Sequence, residues 1–185
     1  MNAPDSALVR LADRLDHLSE WVGRAVSWLA LAMVLVTFAV VVLRYAFNLG
    51  WIAMQESVTF MHALVFMLAA AWTLRHDGHV RVDIFYREMS AKARARVDLA
   101  GTMLLLLPVS IFILVSSWDY VAASWALREG SREAGGLSGV YLLKTAIPMM
   151  AVLLIVQGLS NALRCIAVLR GETKPEPEGR QDDGV

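Results

Sequence analysis

Two charged side chains stand inside otherwise apolar stretches of this sequence, and they are the first candidates for chemistry. Glu56 lies near the start of the run that begins at Ile52, and Lys144 lies one turn into the run that begins at Val140. A charge within a membrane-length stretch is costly to keep, so such residues mark binding or coupling sites by default. The two sit at comparable depth, and a pair between them would neutralise both. Lys144 is expected to snorkel or to pair structurally in preference to binding an anionic substrate, because its long apolar stem can lift the ammonium towards water. Glu56, near a helix N-terminus, is favoured there by the helix dipole.

Other reactive types are sparse. His62 is the one histidine inside an apolar run, whereas His17, His76 and His79 fall in polar segments. A membrane cytochrome that holds haem through both axial positions needs facing histidines, so His62 is read as a hydrogen-bonded packing residue. Gln157 and Asn161, four residues apart, suit hydrogen bonding between helices. The lone Cys165 excludes an internal disulfide. The sequence has no phosphate-binding glycine loop, nucleophile elbow or metal-ligand spacing. It is expected not to be an enzyme and to need no cofactor.

The elements that must position these residues are helices in a bilayer. Of the 185 residues 57% are hydrophobic and the mean hydropathy is +0.53, well above a soluble domain. The net charge is zero, which argues against a nucleic-acid partner. The fold class expected is an all-α membrane protein with four transmembrane helices preceded by an amphipathic interfacial helix. That first helix occupies residues 1–24, with Leu8, Leu11, Leu15, Leu18 and Val22 at alternating three and four spacing. The spans follow at 25–44, 52–74, 97–118 and 140–163; each is close to the roughly 20 residues needed to cross the hydrocarbon core. A basic loop at 75–96 and an outer loop at 119–139 connect them, and the Pro- and Glu-containing tail at 171–185 reads as disordered. Ser90 is a candidate cap for the helix leading into the third span, and Pro108 and Pro148 are expected to kink the third and fourth.

Charge placement orients these elements. Thirteen of the seventeen Lys and Arg residues fall in the N-terminal segment, the 75–96 loop and the C-terminal part, whereas the opposite connections hold Arg44, Arg128 and Arg132. Basic residues in short loops stay on the cytoplasmic side, so both termini are expected to be cytoplasmic. Tyr45, Trp51, Trp118, Tyr120 and Tyr141 then mark the outer boundary.

At Arg44-Tyr45-Ala46-Phe47-Asn48, Trp51 with Gln55-Glu56, His79-Val80-Arg81-Val82-Asp83, and Tyr141-Leu142-Leu143-Lys144 before Ile147-Pro148, the sequence resembles the small permease subunit of tripartite ATP-independent periplasmic (TRAP) transporters. The HVRVD stretch at 79–83 is the most specific piece, and the likeness extends over roughly residues 10 to 170 with the four-span layout. Where that family usually shows two acidic residues after the Trp of its first outer loop, Gln55 here precedes Glu56. The resemblance implies a multi-pass protein of the bacterial inner membrane. It further implies partners: a large permease subunit that carries the substrate and ion sites, a periplasmic solute-binding protein that delivers an organic acid or similar solute, and membrane lipids. On this reading Arg44, Trp51, Glu56, His79 and Lys144 are structural or partner contacts. Arg81 and Asp83 form an ion pair that fixes the central loop, and Arg128, Glu129, Arg132 and Glu133 face the binding protein. The alternative is a small homodimeric proton-coupled exporter with Glu56 as its carrier, against which the position of Glu56 at a helix end argues.

Overall fold

The structure, a computed structural model, describes residues 7–79, 86 and 89–172. Its helices are α1 (Ala7–Ala46), α2 (Ile52–Leu68), α3 (Ala70–Arg75), α4 (Ala91–Gly101), α5 (Leu107–Leu127), α6 (Val140–Lys144) and α7 (Ala146–Arg170), with a π-helical turn, Thr102–Leu106, joining α4 to α5. Among the described residues every regular element is helical. Small interruptions at Ala69 and Thr145 leave four rods long and apolar enough to cross a membrane: Ala7–Ala46, Ile52–Arg75, Ala91–Leu127 and Val140–Arg170. The 47–51 and 128–139 connections share one end of the bundle, here called distal. Arg75, Ala91, Ala7 and Arg170 share the other, called proximal.

α7 is the central strut, packed against α1, α2, α3, α4 and α5. Its buried face runs through Ala146, Ala151, Leu153, Gln157, Ser160 and Ala167. Small side chains at this spacing let backbones approach closely, which is how helices associate in lipid, where apolar burial alone gives no preference for protein over acyl chain. Val26, Leu68, Ala71 and Leu153 form the apolar core where α1, α2, α3 and α7 meet. The outward faces stay apolar, with Trp28, Phe38, Phe66, Leu104, Phe112 and Val115 exposed.

α1 departs from the expected plan. The interfacial helix at 1–24 is not a separate element: from Ala7 onward the chain is one helix of 40 residues, about 60 Å long at about 1.5 Å per residue, roughly twice the hydrocarbon thickness. Its inward stripe is Ala12, Asp16, Ser19, Gly23 and Val26. That stripe has the anticipated three-four rhythm but lies one residue later than Leu11, Leu15, Leu18 and Val22, a rotation of about 100°. Leu11 and Leu18 stay 49% and 43% exposed, while Asp16 is 3% exposed. Polar α7 residues at this level supply the partners that make burying Asp16 tolerable.

The other helices run past the expected spans. α4 begins at Ala91, capped by Ser90, whose Oγ accepts from the Ala93 N–H at 3.4 Å. α5 continues to Leu127, so the distal connection is 128–139 and not 119–139. α7 ends at Arg170, where Gly171 adopts a left-handed conformation (φ 74°). The prolines leave local signatures. Pro108 has no N–H for the Leu104 carbonyl and would crowd it, and the π turn widens the helix there, with the Leu107 N–H reaching back to the Thr102 carbonyl. Pro148 likewise offers nothing to the Lys144 carbonyl, and the helix is interrupted next to it, at Thr145. The expected disordered tail, from residue 173 on, lies outside the described residues, as do positions 80–85, 87 and 88 of the basic loop.

Candidate functional site

Polar chemistry is concentrated at the two ends of the bundle. At the distal end, Arg128 closes α5 in a left-handed conformation (φ 46°). This reversal turns the chain so that the Glu129 N–H meets the Ser124 carbonyl at 3.0 Å and the Glu129 side chain points back at the bundle. Glu129 Oε2 accepts from the Ser124 hydroxyl at 2.7 Å and from Lys144 Nζ at 2.5 Å. The same ammonium lies 4.0 Å from the ring centroid of Tyr120, a cation–π contact. Lys144 and Ser124 together hold the Glu129 carboxyl below the usual glutamate range.

Glu56 has different partners. One oxygen accepts from the Ser131 hydroxyl, and Oε2 accepts from the Leu137 N–H at 2.7 Å. The Leu137 carbonyl in turn accepts from the Ser131 N–H at 2.7 Å, so the carboxylate closes a small loop of the distal connection onto α2. Gly136 fits there because it lacks a side chain: a Cβ would come within 2.7 Å of Glu56 Oε2. The geometry therefore gives Lys144 to Glu129, and the Glu56–Lys144 pair considered from depth alone is not made. The turn at Arg128 delivers a different carboxylate, that of Glu129, to Lys144. Trp125 Nε1 adds a bond to Thr145 Oγ1 at 2.8 Å, and its ring meets Tyr141 edge-on at 4.8 Å.

The remaining sequence candidates scatter. Arg128, Arg132 and Glu133 are exposed on the distal connection. Arg44 is exposed in the last turn of α1, and Trp51 is 55% exposed where its backbone starts α2. His79 is exposed at the proximal end. Arg81 and Asp83 lie outside the described residues.

The proximal end holds a network that the sequence reading missed. Asp16 accepts from Gln157 Nε2 at 3.0 Å, Ser160 Oγ at 2.5 Å and Arg164 Nη2 at 2.5 Å, three donors from successive turns of α7. Arg164 also reaches Asp13 at 2.7 Å. Arg75, at the end of α3, pairs with Glu20 and comes within 3.8 Å of Asp16. Three helices are thus tied by two guanidiniums and three carboxylates. A signal was present: Asp13, Asp16 and Glu20 recur at three and four spacing along one side of the first helix, and Gln157, Ser160 and Arg164 do so on the last. What concealed it was the more conspicuous leucine stripe beside it.

The serines of these clusters donate to carboxylates that other donors also hold: Ser160 to Asp16, Ser124 to Glu129 and Ser131 to Glu56. Among the described residues no group of three or more His, Cys, Asp or Glu could hold a metal ion. What the arrangement does is fasten helices to one another at both ends.

Comparison with known proteins gives this a setting. Residues 33–168 match the family described as "Tripartite ATP-independent periplasmic transporters, DctQ component". A 111-residue stretch is 29% identical to the C4-dicarboxylate TRAP transporter small permease protein DctQ of Vibrio cholerae serotype O1, covering 60% of this chain and 46% of that protein. No solved structure matches the chain.

Proposed function

The chain belongs to the DctQ-component family of TRAP transporters, as a small permease subunit, and from that premise we propose that it braces the large permease as a rigid four-span scaffold. The transporter would carry an organic acid or similar solute inward, coupled to an ion and delivered by a periplasmic binding protein. The observation that carries this reading is the double fastening: Asp16 with Arg164 at the proximal end and Glu129 with Lys144 at the distal end hold the helices in one arrangement. A scaffold against which another subunit moves needs that fixity. The exposed apolar faces of α1 and α5 offer area for the large permease and for lipid.

The proximal end is assigned to the cytoplasm of a bacterium's inner membrane, with both termini there, since thirteen of the seventeen basic residues fall in the N-terminal segment, the 75–96 stretch and the C-terminal part of the sequence. The exposed Arg128, Arg132 and Glu133 on the distal connection then face the periplasm and the binding protein.

Co-expression with a large permease, followed by purification and uptake in proteoliposomes, tests the proposal. The two subunits should leave the membrane together, and uptake should fall sharply when this chain is omitted. A large permease that transports at the full rate alone would remove the bracing role. Charge reversal at Arg128 and Arg132 should slow uptake without loosening the two-subunit complex.

A further inference from the structure

A cavity of about 690 Å³ beside the Asp16 network is walled by groups that already hold one another: Arg75 and Arg164 by carboxylates of α1, and Asp98 by the Tyr86 hydroxyl at 2.5 Å. A second cavity, of about 280 Å³, is built differently. It is a groove between α1 and the α2–α3 rod, with Gly23, Ser27 and Ala30 on one wall and Val65, Ala69 and Trp72 on the other. Both sets recur over two helical turns, so the groove runs about 10 Å along the bundle at about 1.5 Å per residue. It begins where Gly23 meets Trp72 and leads distally towards Ala30 and Val65. Arg24, Ser27 and Ala30 are exposed, so it opens on the outer face of the bundle. The Ser27 hydroxyl donates to the Arg24 carbonyl at 2.8 Å, which leaves the groove an apolar lining.

Arg24 stands at the proximal mouth of this groove, and residues 25–43 beyond it carry no charge. Its Nε lies 3.4 Å from Glu20 Oε1, one turn nearer the proximal end. The guanidinium therefore leans away from the apolar run, the posture of a snorkelling base. An exposed pair at this spacing is weak, and Arg75 holds the same Glu20 carboxylate. With its side chain 74% exposed, Arg24 keeps its terminal nitrogens open to a further acceptor. Trp21 and Trp28, 69% and 71% exposed, flank it one turn before and one turn after on the same face. Indole rings on the outside of a membrane bundle collect at the headgroup level.

From this juxtaposition we infer that the groove binds an anionic phospholipid, with one acyl chain along the small residues of α1 and the headgroup phosphate on Arg24. Cationic at one end and apolar along its length, the groove repeats the order of such a lipid along the membrane normal. A basic residue at the mouth of a crevice between spans is a recurrent way of holding an acidic headgroup. A zwitterionic lipid offers the same phosphate but brings its own cation towards Arg24. A side chain of another protein would enter from the side and fill only part of the groove's length. The inference concerns the chain's own surface and stands whether or not the chain braces a large permease.

The test uses the full chain, alone and co-purified with a large permease, reconstituted in vesicles of equal phosphatidylglycerol and phosphatidylcholine and then extracted for native mass spectrometry. Retained phosphatidylglycerol should exceed phosphatidylcholine about fivefold, the scale of one arginine at an anionic surface. Arg24→Gln should lower the retained phosphatidylglycerol by about that factor and leave phosphatidylcholine unchanged. Ala30→Phe, which fills the groove, should lower both. Both positions are exposed, so circular dichroism should show an unchanged helix content. Arg24→Gln adds no bulk and decides the matter where Ala30→Phe fails to fold. Equal retention of the two lipids by the wild-type chain, or phosphatidylglycerol retention unchanged in Arg24→Gln, overturns the inference. Release of the lipid whenever the large permease is present also overturns it, and gives the groove to that protein.

Discussion

Asp16 and Arg164 meet at 2.5 Å across 148 residues of sequence, joining the first helix of the chain to the last. The contact makes the N-terminal segment part of the bundle. Asp16 is buried and Arg164 is partly open, with side chains 5% and 40% exposed.

Replacing Asp16 by Ala leaves Gln157, Ser160 and Arg164 without their shared acceptor. Breaking a buried pair by removing one partner costs about 3–5 kcal/mol, and the openness of Arg164 reduces this to about 2–4 kcal/mol. Thermal unfolding in detergent should show Asp16→Ala melting well below wild type, with Asp16→Asn between the two because it keeps an acceptor oxygen. A wild-type melting temperature in Asp16→Ala would deny the network any structural weight.

The distal connection should loosen in acid. Lys144, and after it Ser124, depress the Glu129 carboxyl below the ordinary glutamate range. A depressed acid stabilises the fold above its unfolded pKa, and this contribution is lost as pH falls through the lower, folded value. Hydrogen exchange at residues 128–139 should therefore stay slow through neutral and mildly acidic pH and accelerate below the usual glutamate pKa. In Glu129→Gln that pH dependence should flatten, and in Lys144→Met the acceleration should begin at higher pH.

Gly136→Ala addresses the second distal fastening separately. The added methyl would press on Ser131 and Glu56, so the Ser131 and Leu137 bonds to Glu56 should give way. Faster exchange at the Leu137 amide, with α7 unchanged, is the expected result, and Glu56→Ala should reproduce it. Unaltered exchange in both variants would mean that the carboxylate does not hold the loop.

At the proximal end, Gly23 accepts the Trp72 side chain so closely that a Cβ would come within 2.7 Å of the Trp72 Cβ. Gly23→Ala should cost about 1–3 kcal/mol, typical of overpacking. Combining it with Trp72→Leu should cost less than the sum of the two single changes, since the residues are in contact. Strict additivity in a double-mutant cycle would show that the two do not meet.

The sequence makes some of this legible and hides the rest for physical reasons. Four apolar runs of membrane length can be read directly, because the bilayer imposes length and composition on any helix that crosses it. Ser90 could be read as a cap because that signal is local. Gln157 and Asn161 were readable as hydrogen-bonding residues, although Asp16, their link to α1, was not. Its burial depends on which of two adjacent stripes of α1 turns towards α7, and hydrophobicity favours the leucines. In this bundle the packed stripe is the small and polar one, and Leu11 and Leu18 are left outside. The pairing of Lys144 with Glu129 was equally hidden, because it depends on the backbone reversal at Arg128, a residue with nothing in its type to announce a left-handed conformation.

The π turn before Pro108 has a consequence for how the third rod tolerates change in length. A π turn stores one residue more than an α turn, so Thr102–Leu106 holds slack between Asp98, on the proximal side, and Ser124, on the distal side. Removing one residue inside it would tighten the turn and leave the two ends in phase. The same deletion nearer either end would swing one end about 100° around the axis and carry either Asp98 away from Tyr86 or Ser124 away from Glu129.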